Sequence, residues 1–258
     1  MWSALSAPLA VVEPQKFSRV AVVGDLHGDY KTLKGILEIV NLEVDLLVFL
    51  GDYADRGPDG VEVIRTVADL QQKHPTNVVA LMGNHEDFTE LGEPQFNPCT
   101  LIEEATAKTG SWGNYFTGEL KPFIDTLHIA ALIPNNALLV HGGISSRING
   151  VSDLQAPSEE LRLDLLWSDP LDGDGEDPNY ARGAGVEFGA DVSAAVCKAL
   201  GVGRIIRSHQ PQLAAAKPFK VHDNRVITVN ATSVYGGNPF VYFVDPKSKS
   251  RDSYRNIR

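Results

Sequence analysis

Cysteine is nearly absent from this chain of 258 residues, which holds only Cys99 and Cys197. Two cysteines argue against a disulfide framework and against a thiolate zinc site, and both are expected to be small, half-buried packing residues. Long apolar runs are missing as well. No stretch reaches the roughly 18 residues that a membrane-spanning helix needs, so no membrane partner is expected. The opening "MWSALSAPLAVVEP" has neither a basic leader nor an extended apolar run, and does not read as an intact secretory signal. A cytoplasmic location is the default expectation, with a secreted or periplasmic one left open should a signal have been removed. Basic side chains are also short in supply, 23 Lys and Arg against 33 Asp and Glu, for a net charge of −10. That balance argues against nucleic acid as a partner, because phosphate backbones are held by clustered Lys and Arg. It leaves room for a small phosphorylated substrate, since bound cations reverse the local field.

What is present suffices for a packed core: 43% of the residues are hydrophobic, enough for one large α/β domain. A single domain over residues 1–258 is expected, with 1–16 as an extended N-terminal arm. Continuous apolar, β-rich runs recur: "RVAVVGD" (19–25), "DLLVFLGD" (45–52), "NVVALMGN" (77–84), "ALLVHGG" (137–143), "RIIRSH" (204–209), "RVITVN" (225–230) and "FVYFVD" (240–245). Unbroken apolarity predicts strands covered on both faces. Helix-like segments near 29–40 and 59–73 separate the first three runs, as βαβ crossovers require. Residues 87–135 show no strand run and are expected to form a helical excursion, in which Trp112, Tyr115 and Phe116 are spaced as a core patch.

Polar clusters follow five of these runs: Asp25 with His27, Asp52 with Asp55 and Arg56, Asn84 with His85, then His141, then His209. The crevice beyond the carboxyl ends of such strands is where α/β sheets bind ligands. Singly, each residue has a plain explanation. "GDYADRG" (51–57) is a solvated turn, Asp25 a helix cap, a lone histidine a half-buried packing residue, and Arg56 or Arg182 a member of a surface ion pair. Together at strand ends they form the Asp, His and Asn donor set that suits divalent Mn, Fe or Zn. Asp52, flanked on both sides, could bridge two ions about 3.5–4 Å apart.

In order along the chain, "GDLHG" (24–28), "GDYADRG" (51–57), "GNHE" (83–86) and "HGG" (141–143) resemble the signatures of the phosphoprotein phosphatase family of calcineurin-like metallophosphoesterases. The likeness continues through "WSDP" (167–170), "RGAGVEFG" (182–189) and "RSHQ" (207–210). It implies a central β-sandwich of mixed sheets flanked by helices, with a dinuclear metal site at the carboxyl ends of strands. By the same resemblance Asp25, His27 and Asp52 hold one ion, and Asp52, Asn84, His141 and His209 the other, with Mn2+ the first expectation and Fe or Zn the alternatives. A water or hydroxide between the ions would attack phosphorus directly, without a phosphoenzyme. His85 would be the general acid, oriented by Asp55, while Arg56, Arg182, Asn84 and Tyr235 hold the phosphoryl group. The implied substrate is a phosphoserine or phosphothreonine protein or peptide, with phosphotyrosine also open. A dinucleoside-polyphosphate hydrolase is the alternative, and a non-catalytic phosphate-binding scaffold a remoter one.

The chain departs from eukaryotic serine/threonine members at Met82, where they carry Arg, and in "EDFTELGEPQFNPC" (86–99). It thus looks like a compact, bacterial-type member, with regulatory subunits left open. "DGDGEDP" (172–178) lacks the glycine and glutamate of a calcium loop and is expected to be a solvated loop. "NAT" (230–232) is a glycosylation sequon only in a secreted protein, and His74, His128 and His222 are assigned no role.

Overall fold

The computed structural model describes residues 8–248 and 251–257; residues 1–7 of the expected arm lie outside them. Strands β1 (Leu9–Val11), β2 (Arg19–Val23), β3 (Asp45–Phe49) and β4 (Val78–Ala80) come first, with α1 (Tyr30–Leu37) and α2 (Gly60–Lys73) between them. A helical stretch follows, α3 (Leu101–Thr109), α4 (Trp112–Tyr115) and α5 (Lys121–Ile124), and then β5 (Ala130–Ile133) and β6 (Ala137–Val140). Helices α6 (Val151–Gln155) and α7 (Glu159–Trp167) lead into β7 (Asp169–Pro170), β8 (Glu176–Pro178) and β9 (Val186–Phe188). After α8 (Ala190–Leu200) the chain closes with β10 (Arg204–Arg207), β11 (Phe219–Val221), β12 (Val226–Thr228), β13 (Phe240–Val244) and β14 (Ser253–Asn256).

One sheet has the order β14-β13-β2-β3-β4 and a second β1-β5-β6-β10-β12-β11, while β7, β9 and β8 form a small third sheet. In the first, β2, β3 and β4 run parallel and β13 antiparallel; in the second, β6, β10 and β12 are parallel and β5 and β11 antiparallel. The two large sheets stack. Val20, Val22, Leu46 and Val48 of one share a core with Ala131, Ile133, Leu139, Ile206 and Ile227 of the other. The alternate residues, Ala21, Val23, Leu47 and Phe49, face a second core with Leu33 and Ile36 of α1 and Ile64 and Val67 of α2. Strands so covered must be apolar at every position, which is why the runs do not alternate.

Two expectations fail. Residues 87–135 do contain a strand: "AALI" of β5 is short and alanine-rich, a weak strand former by itself, and is held because β1 and β6 pair with it on either side. The stretch 172–178 is a loop only at its start, since Glu176–Pro178 pairs antiparallel with β9. The aromatic patch is present, with Tyr115 and Phe116 buried and Trp112 packed on Phe116 at 5.6 Å between rings. Asn230 of the sequon is buried, and its side chain is bonded to the backbone of Thr232, so no glycan is accommodated there. Among the described residues no helix is long and apolar enough to cross a membrane.

Candidate active site

The parallel strands of both sheets end on one rim of the sandwich. Asp25, Asp52 and Asn84 lie just past β2, β3 and β4, while His141 and His209 lie just past β6 and β10. All five are buried, as is His27. Two clusters of ligand atoms lie within 4.8 Å of one another: His27 and Asp52 with His85, and Asp52 with His141 and His209. Asp52 belongs to both. Its Oδ2 is 3.5 Å from His27 Nε2 and its Oδ1 is 3.4 Å from His141 Nε2. His141 Nε2 also lies 3.0 Å from Asn84 Oδ1 and 3.1 Å from His209 Nδ1.

The ring protons are placed by the backbone. His27 Nδ1 is 3.0 Å from the Ala54 carbonyl and His141 Nδ1 is 3.0 Å from the Leu50 carbonyl. A carbonyl only accepts, so each Nδ1 carries the proton and each Nε2 turns a lone pair inward. Burial pushes the His27 imidazole down to about 4 and His141 to about 3, and it also lowers His209, with His141 adding to the effect. These rings are therefore neutral, as metal ligands must be. Burial pushes the Asp52 carboxyl well up, helped by the nearby Asp25 and Glu86 carboxylates, a repulsion that a shared cation relieves. Among the described residues Asp25 Oδ2 and His209 Nε2 are buried without a hydrogen-bond partner. The orphaned Asp25 Oδ2, in an Asp, His and Asn donor set whose His209 member faces His141 through Nδ1, fits a divalent cation.

Within the first cluster His85 Nδ1 sits 2.7 Å from Asp55 Oδ2, which leaves His85 Nε2 for the site. Asp55 Oδ1 accepts from the backbone N–H groups of Thr100 at 2.6 Å and Leu101 at 2.8 Å, so the carboxylate also caps the start of α3. Burial would raise the Asp55 carboxyl, yet the His85 bond and these N–H groups hold it below its ordinary value. Phe96 covers His85, ring to ring at 4.5 Å. Arg182 is exposed, with its Nε donating to Asp169 Oδ2 at 2.9 Å. Tyr235 stands edge-on to His27 at 5.6 Å and feels the charges of both Arg56 and Arg182. The structure thus brings Asp25, His27, Asp52, Asn84, His85, His141 and His209 together at this rim, with Asp55 on His85 and Tyr235 on His27, while Arg182 is held by Asp169 and Arg56 is exposed in the loop after β3.

Sequence reasoning missed the groups that brace them. Glu86 accepts from the backbone N–H groups of Asp52, Tyr53 and Gly83 at 2.8, 3.0 and 2.9 Å, clamping two ligand loops with one carboxylate. Burial pushes it up to about 7 despite these bonds. Ser208 Oγ donates to Asp25 Oδ1, which also accepts from the His209 N–H at 3.0 Å. Asp169 joins Arg182 to the fully buried Arg207 at 2.8 Å, and Arg207 Nε donates to the Gly142 carbonyl. Glu86, Asp169, Arg207 and Ser208 all stand inside the quoted motifs, but nothing in one linear motif tells which other it will meet.

A family model for calcineurin-like phosphoesterases matches residues 18–213. The chain is 32% identical over 199 residues to a serine/threonine-protein phosphatase, C23G10.1, of Caenorhabditis elegans. That match takes in 74% of this chain and 42% of the relative, so the chain spans about two fifths of its length. Among solved structures, a protein serine/threonine phosphatase from Saccharomyces cerevisiae with similarity to human phosphatase PP5 has a TM-score of 0.79 at 22% identity, covering 98% of this chain and 84% of that one. A cold-active protein tyrosine phosphatase gives a TM-score of 0.61 at 18% identity over 98% of this chain and 81% of its own. At these identities the structural likeness is one of fold.

Proposed function

This chain belongs to the calcineurin-like phosphoesterase family, and from that premise we propose that it is a metal-dependent phosphoprotein phosphatase acting on phosphoserine, phosphothreonine and phosphotyrosine in proteins or peptides. One observation carries the reading: Asp52 stands in both candidate cation clusters, while His85, its Nδ1 committed to Asp55, turns its other nitrogen to the same space. A pure binder of phosphate needs no such proton donor.

Asp25, His27 and Asp52 would hold one divalent ion and Asp52, Asn84, His141 and His209 a second, with manganese, iron or zinc matching the donors. Such ions, when bound, supply the Lewis acidity that makes water a nucleophile at neutral pH. Arg182, its Nε spent on Asp169, keeps its terminal N–H groups for the phosphoryl oxygens, and Arg56, next to Asp55 in the loop after β3, would add a second guanidinium. Tyr235 adds a hydroxyl donor at the rim. Water forms its bond to phosphorus opposite the leaving oxygen, and His85 Nε2–H gives that oxygen a proton as its bond to phosphorus breaks. The products are the free hydroxyl side chain and inorganic phosphate.

The test is hydrolysis of p-nitrophenyl phosphate, of phosphoserine and phosphotyrosine peptides and of diadenosine tetraphosphate, after chelation and metal return. Asp52→Asn should lose bound metal, measured by elemental analysis, together with turnover. His85→Asn should keep metal but lose about 10²–10⁴-fold in kcat, most on phosphoserine, whose leaving group most needs the proton. Full activity of His85→Asn on phosphoserine would end the proton-donor assignment. Faster turnover of diadenosine tetraphosphate than of the phosphopeptides would favour the dinucleoside-polyphosphate reading instead.

A further inference from the structure

Beside His85 lies an open slot of about 590 Å³ whose lining includes Pro94, Phe96, Leu163, Trp167, Arg182 and Ala184. Its aromatic walls are tied to the candidate centre. Phe96 lies against the His85 ring at 4.5 Å, and Trp167 stands edge-on to His209 at 5.8 Å. Arg182 lines this slot and also a smaller cleft of about 230 Å³ formed with Gln210–Leu213 and Tyr235. The guanidinium proposed to grip the phosphoryl group therefore marks the border between two compartments. The proton donor stands on the side of the Phe96 slot. A leaving oxygen protonated by His85 must point that way, so the slot receives whatever the oxygen is attached to.

Resting on the phosphatase reading above, we infer that this slot is a leaving-group subsite for an aromatic ring, the phenyl ring of phosphotyrosine. In a phosphoserine peptide a single methylene separates the ester oxygen from the backbone. Its N–H and C=O groups would then be drawn between Phe96 and Trp167, whose rings offer them no partner, and would have to find one at Asp87, Gln95 or Asn97 of the same slot. A tyrosyl ring reaches the same depth as a flat, apolar body that packs edge or face against Phe96 and Trp167. It leaves the peptide backbone at the rim, where Gln95 and Asn97 are exposed and polar. Phe96 stands in "EDFTELGEPQFNPC" (86–99), between His85 and the start of α3.

Two measurements test the subsite. On matched peptides the holoenzyme should show kcat/KM at least tenfold higher for phosphotyrosine than for phosphoserine. Ala184→Phe, a bulkier side chain in the slot lining at a residue that is neither a proposed metal ligand nor the proton donor, should lower that ratio at least tenfold at unchanged metal content. Independently of turnover and of the variant's folding, phenylphosphonate should bind the wild-type protein at least tenfold more tightly than methylphosphonate by calorimetry. A wild-type ratio near one, or equal losses on both peptides in Ala184→Phe, overturns the proposal. So does loss of diadenosine tetraphosphate turnover alone, which would give the slot to a nucleobase. If no phosphopeptide is cleaved yet phenylphosphonate is still preferred, the phosphatase reading fails while the aromatic slot stands; no preference between the phosphonates overturns the slot itself.

Discussion

His27, Asp52, Asp55, Arg56 and His209 all hold a left-handed backbone, with φ of 46°, 54°, 67°, 72° and 66°. None is glycine, and each such conformation costs on the order of 1–3 kcal/mol, a strain that proteins keep where surrounding contacts over-determine it. Glu86 supplies part of that over-determination by binding the N–H groups of Asp52 and Tyr53. Gly51 at φ 107° supplies another part, because a Cβ there would strike the backbone of Gly83 and push the two ligand loops apart. Glu86→Ala leaves the N–H groups of Asp52, Tyr53 and Gly83 without their acceptor, and should lower stability by about 1–3 kcal/mol in denaturant titration. Cation affinity by calorimetry should fall about 10–100-fold, as for other groups that orient ligands; unchanged affinity would mean that the loops hold themselves. At this scale the candidate ligands were legible because each carries its own chemistry in its own motif. Glu86 was not, since its partner Asp52 lies 34 residues away and its role is a contact rather than a residue type.

Elements are tied to the rim by their N-termini. α3 starts on Asp55, so the helical excursion fixes the group that orients His85. α1 starts on Asp29, whose carboxylate accepts from Thr32 N at 2.9 Å and also from Ser233 N at 2.9 Å and Ser233 Oγ at 2.6 Å, two residues before Tyr235. Burial opposes ionisation of Asp29, but the bonds from Ser233 and Thr32 hold its carboxyl below the ordinary 3.8. A carboxyl depressed by folding stabilises fully above its ordinary value and loses that contribution as the pH falls through the folded one. Asp29→Ala should therefore cost about 1–2 kcal/mol at pH 7 by denaturant midpoint, with the difference shrinking as the pH drops below 3.8. A difference that stays constant down to acid pH would show that the charge is not what ties α1 to the Tyr235 loop. The long apolar strands were legible from burial on both faces. β5 and β8 were not, because alanine or acidic residues become strands only when neighbours pair with them.

For the whole molecule, a chain of net charge −10 that gathers Asp25, Asp52, Asp55 and Glu86 on one buried rim should gain stability from cations. Manganese at about a hundred times its dissociation constant contributes about 2.7 kcal/mol, a rise in Tm of about 5–10 °C for a chain of this size. Scanning calorimetry with and without chelator should show that rise in the wild type and little of it in Asp52→Asn; equal shifts in both would place the cation elsewhere. The amino-acid sequence by itself determined the α/β class, the main strands and the kinds of donor carried at their ends, because burial on both faces and ligand chemistry are written into local runs of residues. Only the tertiary structure decided that the ends of two separate sheets share one rim. It sets His141 and His209 of one sheet against Asn84 and Asp52 of the other. It also brings Phe96 and Trp167 onto one open slot. Such convergence comes from stacking two sheets across a common core, and no spacing along the chain encodes the distance between side chains that the stacking brings together.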